Sequence, residues 1–185
     1  MILPIYAYGQ PVLRKKSLPI TQDYPGLDNL IEDMFETMYS AKGVGLAAPQ
    51  IGKDIRLFIL DTIQLNKKNE SSTGVKKIFI NAEMMDESGN PWLYEEGCLS
   101  IPDIHVEIER NPGITIRYVD VGWIEHVETF DGVNARVIQH EYDHIEGILF
   151  IDRMKPLKRR MINRKLEKIK KGEVEVNHPM RFLKI

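Results

Sequence analysis

The sequence is poor in cysteine, with Cys98 alone among 185 residues. A single thiol excludes an intramolecular disulfide, so the hydrophobic core has to stabilise a chain of this length. Residues 1–4 lack the basic start and apolar stretch of a secretory signal, and no later run approaches the roughly 20 apolar residues that cross a membrane. We therefore expect a cytoplasmic protein with no membrane contact.

Internal repeats and interior linkers are also missing, which predicts one domain over residues 1–185. The hydrophobic content of 43% and the charged content of 28% are ordinary for a soluble globular protein. The net charge of −2 is unevenly spread, because residues 155–171 contain nine Lys or Arg and one acidic residue, Glu167. A solvated helix face is the ordinary explanation of such a run, and a nucleic-acid contact is the alternative.

Apolar residues recur at helical spacing in three segments. The first two occupy residues 27–38 and 133–145, and glycines that can end a helix follow each one. These glycines are Gly43 and Gly45 for the first segment and Gly147 for the second. A third helix is expected after Pro156. Its expected apolar side consists of Leu157, Met161, Ile162, Leu166 and Ile169.

Short β-branched and aromatic runs predict five strands between the first two helices. They cover residues 55–60, 76–80, 105–110, 114–119 and 123–130. Because the strands are grouped rather than alternating with helices, the expected fold class is α+β. The polar residues 64–74 suit an exposed loop, and the tail, residues 172–185, has no clear pattern.

The strongest chemical signal is His140-Glu141-Tyr142-Asp143-His144, within the second helical segment. Residues four apart share a helix face, so both imidazoles can bind one metal ion with Glu141 beside it. The pattern is typical of hydrolytic metal sites. Chance occurrence on a solvated helix is the alternative interpretation, because a five-residue match alone is not specific.

A catalytic metal usually takes a third protein ligand. In metzincin proteases this ligand is a histidine six residues after the second one, but Phe150 stands there, which excludes that class. A thermolysin-like site would need Glu167 or Glu173, of which the first lies in the basic run and the second beside the tail. Cys98 offers a soft thiolate next to Gly97, although a lone cysteine is more commonly a small buried hydrophobe.

Residues 43–50, Gly-Val-Gly-Leu-Ala-Ala-Pro-Gln, are mostly small and end in a side-chain amide. Such a run suits the close lining of a cleft, and alone it is also typical of a helix-terminating loop. Together, residues 43–50, 96–100 and 139–144 resemble the motifs G-x-G-L-A-A-P-Q, E-G-C-L-S and Q-H-E-x-D-H of the peptide deformylase family. Residues 3–5, 11–14 and 147–150 are also similar to this family, so the resemblance extends over residues 2–153.

The resemblance implies a compact α+β domain of short, mainly antiparallel strands around a central helix that carries the HExxH motif, with a C-terminal helix. It implies a metal-dependent hydrolase that removes the formyl group from N-formylmethionyl peptides. Cys98, His140 and His144 would bind one Fe²⁺ per chain, for which Zn²⁺, Ni²⁺ or Co²⁺ could substitute.

The resemblance also implies roles for residues around the ion. Glu141 would accept a proton from water and return it to the departing amine. The Gln50 amide and the Leu99 N–H would stabilise the oxyanion. Gly45 would let the substrate backbone pair as an added strand.

Further substrate contacts follow from the same resemblance. Glu96 is expected at the substrate cleft, with Arg110 paired to it in support of the cysteine loop. His105 stands where some members carry an arginine, which leaves contacts to the second substrate residue less defined. The candidates for the methionine pocket are Val44, Tyr94, Val133 and Val137.

Three other functions remain open on the residues alone. A generic zinc peptidase would give Cys98 no role, whereas a cysteine hydrolase would make it the nucleophile. A non-enzymatic ribosome-binding protein would depend on the basic residues 155–171. For a deformylase we expect the same basic helix to contact the ribosome transiently, and we expect a monomer.

Overall fold

A computed structural model describes residues 1–65 and 73–183. It contains three α-helices, α1 (Leu27–Ser40), α2 (Gly132–Ile145) and α3 (Pro156–Lys171). The strands are β1 (Ile5–Tyr6), β2 (Gly45–Ala47), β3 (Leu57–Asp61), β4 (Lys76–Ser88), β5 (Trp92–Cys98), β6 (Ile101–Arg110), β7 (Gly113–Val119), β8 (Glu125–Asp131) and β9 (Met180–Arg181).

The strands form three sheets, mainly with antiparallel pairing. The largest has the order β2-β3-β4-β7-β8 and is antiparallel throughout, so β2 lies at one of its edges. Strands β5 and β6 form a separate antiparallel hairpin. The short strands β1 and β9 pair in parallel.

The large sheet is covered on both faces, which explains why every residue of β3 is buried. Successive side chains of a strand point to opposite faces. Leu57 and Ile59 accordingly pack in the same apolar cluster as α1, whereas Phe58 and Leu60 pack with α2. The helix that carries the histidines is therefore central to the fold.

A third apolar cluster joins the β5–β6 hairpin to the C-terminal part of the chain. It contains Ile101 and Ile108 from β6, the buried Phe150, and Leu166 and Ile169 from α3. This packing holds the hairpin, in which β5 ends at Cys98, against α3 and the segment that follows α2.

The three predicted helices are confirmed, but the ends and faces of two of them differ from expectation. Helix α1 ends at Ser40, and Lys42 rather than a glycine takes the left-handed conformation after it, with φ of 57°. Gly45 begins β2 and does not end the helix. In α3, Leu157 and Met161 were expected on the apolar side, yet they are 74% and 78% exposed.

All five predicted strands exist with shifted bounds, and four others were missed. Strand β4 continues to Ser88 because its polar second half pairs with β7, beyond an irregular point at Asn81, where φ is 53°. Strand β8 begins later than expected because Trp123 has a φ of 60°. The missed strands are β1, β2, β5 and β9.

The predicted loop at residues 64–74 lies partly outside the described residues, since 66–72 are not among them. Within the described part of the chain, no helix combines the length and apolarity that a membrane crossing needs.

Candidate metal centre and substrate cleft

A cavity of about 460 Å³ opens between the segment before β2, the β5–β6 hairpin and α2. Apart from His144, every residue predicted for the site lines this cavity. These residues are Val44, Gly45, Gln50, Tyr94, Glu96, Cys98, Leu99, Val133, Val137, His140 and Glu141. His144 is buried behind them and faces Cys98.

Three metal-binding side chains meet at the floor of the cavity. The ligand atoms of Cys98, His140 and His144 all lie within 4.8 Å of one another, and Cys98 Sγ is 3.3 Å from His144 Nε2. Donor atoms bound at about 2.0–2.3 Å to one tetrahedral ion lie about 3.3–3.8 Å apart, so the set fits a divalent metal. Across residues 1–65 and 73–183 no other such group occurs, which leaves Glu167 and Glu173 outside the ligand set.

A carboxylate orients one of the two imidazoles, and burial favours the neutral form of the other. His140 Nδ1 lies 2.9 Å from Glu96 Oε2, which leaves His140 Nε2 for the metal. Burial lowers the pKa of His144 well below its usual value, and the nearby His140 lowers it further. His144 is therefore a neutral imidazole, the form that binds metals.

Glu141 projects between the metal ligands and the edge strand β2. It is 4% exposed, and its Oε2 has no hydrogen-bond partner among the described residues. Burial raises the pKa of Glu141 to about 7. A Cβ on Gly45 would lie 2.4 Å from Glu141 Oε1, so only glycine leaves room for this carboxylate. Glu141 is thus placed and poised to exchange a proton near neutral pH.

The Glu96 carboxylate lies at the cleft, but its oxygens are occupied by protein partners. Arg110 donates to both oxygens at 2.7 and 3.0 Å, which confirms the predicted pair, and Arg136 Nη1 donates to Oε1 at 3.0 Å. Burial opposes the charge, yet hydrogen bonds from His140 and Arg110 hold the pKa of Glu96 well below its usual range. Glu96 therefore orients His140, and its contact with substrate stays a prediction.

The same network continues along α2 to Asp143 and Arg136, for which the sequence reasoning gave no role. Arg110 Nη1 donates to Asp143 Oδ2 at 2.7 Å. Arg153 also binds Asp143, with contacts of 2.6 and 2.5 Å. Arg136 stacks over Trp92 with 4.9 Å between its Cζ and the ring centroid. The spacing of Arg136, one helical turn before His140, was the available signal.

The Gln50 amide is held in one orientation. Its Oε1 accepts a hydrogen bond from the Ala47 N–H at 2.9 Å. Its Nε2 donates to Ser100 Oγ at 3.2 Å and lies 3.5 Å from Cys98 Sγ. The donor end of the amide therefore faces the metal centre.

The remaining walls of the cavity are mainly apolar. The four candidates for the methionine pocket, Val44, Tyr94, Val133 and Val137, all lie on them. Sequence reasoning did not identify Leu65, which also lines the cavity, or His178 from the tail. His105 lies over Gly97, where a Cβ would come within 2.7 Å of His105 Cδ2.

Comparison with known proteins finds similar chains that align over nearly their whole length. The family model described as "Polypeptide deformylase" matches residues 2–160. A peptide deformylase from Christiangramia forsetii is 50% identical over 98% of this chain and 96% of its own, and one from Flavobacterium johnsoniae is 48% identical over the same shares.

Solved structures of peptide deformylases are also similar to this chain. The crystal structure of a peptide deformylase from Legionella pneumophila has a TM-score of 0.80 at 38% identity, covering 94% of this chain and 98% of its own. That of the peptide deformylase from Thermus thermophilus has a TM-score of 0.82 at 38% identity, covering 93% and 99%.

Proposed function

This chain belongs to the polypeptide deformylase family, enzymes that remove the N-formyl group from an N-terminal methionine, and from this premise we propose how its own residues act. The observation that carries the proposal is the meeting of Cys98, His140 and His144 within 4.8 Å at the floor of a cleft. We assign these three as the metal ligands and the whole of residues 1–185 to one catalytic domain.

The family is metal-dependent, and the proposed native ion is one Fe²⁺ per chain. A thiolate and two imidazoles also accept Zn²⁺, Ni²⁺ or Co²⁺, so the ion in a preparation depends on supply. When bound, the ion would make a coordinated water more acidic and polarise the formyl carbonyl.

The protein groups move the proton and stabilise the developing charge. Glu141, buried beside the ligand set, would accept the proton of the attacking water and return it to the departing amine, which becomes the new N-terminus of the peptide while formate is released. Gln50 Nε2 faces the reacting centre and would donate to the oxyanion together with the Leu99 N–H. Gly45, in the edge strand β2, would pair with the substrate backbone.

Specificity for formylmethionine is assigned to the apolar walls. Val44, Tyr94, Val133 and Val137 would surround the methionine side chain, because all four line the cleft beside the ligands. An acetyl group carries a methyl where a formyl group carries hydrogen, and this methyl would displace the attacked carbonyl. A displacement of about 1 Å can reduce the rate about 10²-fold.

The test uses enzyme purified anaerobically, with the metal measured by elemental analysis. We expect formyl-Met-Ala to be hydrolysed with a kcat/KM at least about 10²-fold above acetyl-Met-Ala. Equal rates on the two peptides would contradict the assigned geometry. An iron form that is stable in air would contradict the assignment of Fe²⁺, because an open thiolate-bound ferrous site reacts with oxidants.

A Cys98→Ser variant separates the alternatives. If Cys98 is a metal ligand, the variant loses metal and activity together. Full metal content with lost activity would favour a cysteine hydrolase, and full metal content with full activity would favour a generic zinc peptidase.

We further propose that α3 contacts the ribosome. Arg160, Arg164 and Lys168 are exposed, since α3 buries Leu166 and Ile169 against the hairpin and turns its basic face outward. Reversing these three charges should weaken co-sedimentation with ribosomes at low salt by removing phosphate contacts. A Lys53→Glu variant serves as a control at an exposed position outside α3. Equal co-sedimentation of both variants would reject the contact.

Two further assignments complete the proposal. The protein would act as a monomer, because its cleft is assembled entirely from one chain. It would work in the cytoplasm, where formylated chains leave the ribosome.

A further inference from the structure

A second depression adjoins the catalytic cleft and is built in part from the tail after α3. It has a volume of about 350 Å³ and shares five residues with the first cavity. The shared residues are Ala41, Lys42, Pro102, Asp103 and His178. Glu175, Val176 and Asn177 add a wall that belongs to the tail alone. The two cavities therefore form one continuous groove.

The direction of a bound peptide follows from the contacts of the segment before β2. Gly45 marks the reacting end, because it packs against Glu141. Gly43, two residues earlier, packs against the Leu99 side chain, and Lys42 and Ala41 lie in both cavities. A substrate paired with this segment and attacked beside Glu141 must run toward Lys42, and so into the second depression.

The rise of an extended chain sets how far each peptide residue lies from the reacting end. A strand advances about 3.3 Å per residue, so the third and fourth residues lie about 7–10 Å beyond the first. The methionine fills the first cavity, whereas later residues pass between Lys42 and the tail.

His178 fixes the tail at the junction of the two cavities. Its ring lines both cavities, and its Nε2 is buried without a hydrogen-bond partner among the described residues. The pairing of β9 with β1 anchors the chain directly after it, since Ile5 N donates to Pro179 O at 2.9 Å. The wall is therefore anchored at its C-terminal end.

The charged residues along the second depression favour basic over acidic side chains in a bound peptide. Asp103 and Glu175 supply two carboxylates against one ammonium from Lys42, and none of the three forms an ion pair with another described residue. Both Lys42 and Asp103 hold a positive φ, of 57° and 59°, which fixes where their side chains leave the backbone.

We propose that residues 175–178 of the tail form one wall of an extended substrate groove, which receives the third and fourth residues of the nascent peptide and favours basic over acidic side chains there. This inference rests on the proposed deformylase function. The family match ends at residue 160, so the wall comes from a part of the chain outside it.

The experiment compares metal-verified enzyme on formyl-Met-Ala-Lys-Lys and formyl-Met-Ala-Glu-Glu. The wild type should show a kcat/KM ratio in favour of the lysine peptide of up to about fivefold, the scale of an exposed ion pair, and added salt should reduce it. In an Asp103→Asn/Glu175→Gln variant the ratio should fall toward one. Glu173→Gln, an exposed tail carboxylate outside the depression, is the matched control and should keep the wild-type ratio.

A His178→Ala variant tests the wall independently of charge. It should raise KM for both tetrapeptides more than KM for formyl-Met-Ala, and His178→Asn should restore part of the difference. If the wild type shows no preference, or if the charge variant keeps it, the groove assignment is wrong even when formyl-Met-Ala is processed normally. Failure of the wild type on formyl-Met-Ala would overturn the proposed function and this inference with it.

Discussion

Glu96 Oε2 and His140 Nδ1 lie 2.9 Å apart, which couples a buried carboxylate of β5 to the proposed metal ligand on α2. The contact selects the ring nitrogen that remains for the ion and raises the basicity of the imidazole. Because Arg110 and Arg136 bind the same carboxylate, Glu96 cannot turn away from His140.

Replacing Glu96 by Gln should weaken metal binding about 10–100-fold, the usual effect of removing a carboxylate behind a metal-bound histidine. Arg136 would also lose its buried counter-charge, although Arg110 keeps Asp143, so the free energy of unfolding should fall by roughly 3–5 kcal/mol. Metal affinity and urea unfolding measure these effects. The metal affinity and unfolding free energy of Glu96→Asp should lie between those of the wild type and Glu96→Gln. Glu109→Gln, at an exposed position, should match the wild type in both. Unchanged affinity in Glu96→Gln would contradict the coupling.

Glu141→Gln should retain about one metal per chain and lose roughly 10²-fold or more in kcat, the scale of general acid–base catalysis. The reason is that the carboxylate lies beside the ligand set without belonging to it. Elemental analysis and initial rates on formyl-Met-Ala provide the measurement. Loss of the metal together with the charge would show that Glu141 is a ligand.

Gly45→Ala should displace Glu141, because the new Cβ would lie 2.4 Å from its Oε1. We expect kcat to fall about 10²-fold from a shift of about 1 Å, and the free energy of unfolding to fall by about 1–3 kcal/mol from overpacking. The control is Gly122→Ala in an exposed turn. A fully active Gly45→Ala enzyme would mean that Glu141 can retreat without consequence.

Glu146 should contribute stability that depends on pH. Burial opposes its charge, but hydrogen bonds from Lys16 and Arg56 keep its pKa below the usual value. A depressed folded-state pKa stabilises the protein above the unfolded-state pKa, and this stabilisation is lost as the pH falls through the folded-state pKa. The difference in unfolding free energy between wild type and Glu146→Gln should therefore shrink between pH 7 and pH 3, as measured by urea titration. A difference that grows toward low pH would reverse the sign of this assignment.

The sequence predicted the parts of the site that depend on local spacing. His140, Glu141 and His144 follow from helical periodicity, and Cys98 followed from its motif. Arg136 and Asp143 were missed because their importance arises only when the hairpin docks on α2 and brings Arg110 and Glu96 to them. Spacing placed Arg136 on the helix face of His140, but it did not identify Glu96, 40 residues away in the chain, as the partner of Arg136.

The fold was predictable to a similar extent. Helices with one apolar face were found, whereas β5 was missed because Glu95, Glu96 and Gly97 have low strand propensity and are supported by pairing with β6. Strand β9 has two residues, and its pairing partner β1 lies near the other end of the chain. Hence nothing local indicated that the tail would return to the cleft and place His178 there.

The ligand set takes Cys98 from the hairpin and His144 from α2, residues that are 46 positions apart in the chain. An ion bound by both would act as a removable crosslink of the folded chain: unlike a disulfide it is lost on unfolding, and a chelator rather than a reductant releases it. The melting temperature should accordingly rise with the concentration of free metal. A chain that cannot form an internal disulfide would thus have a stability that depends on the concentration of available metal.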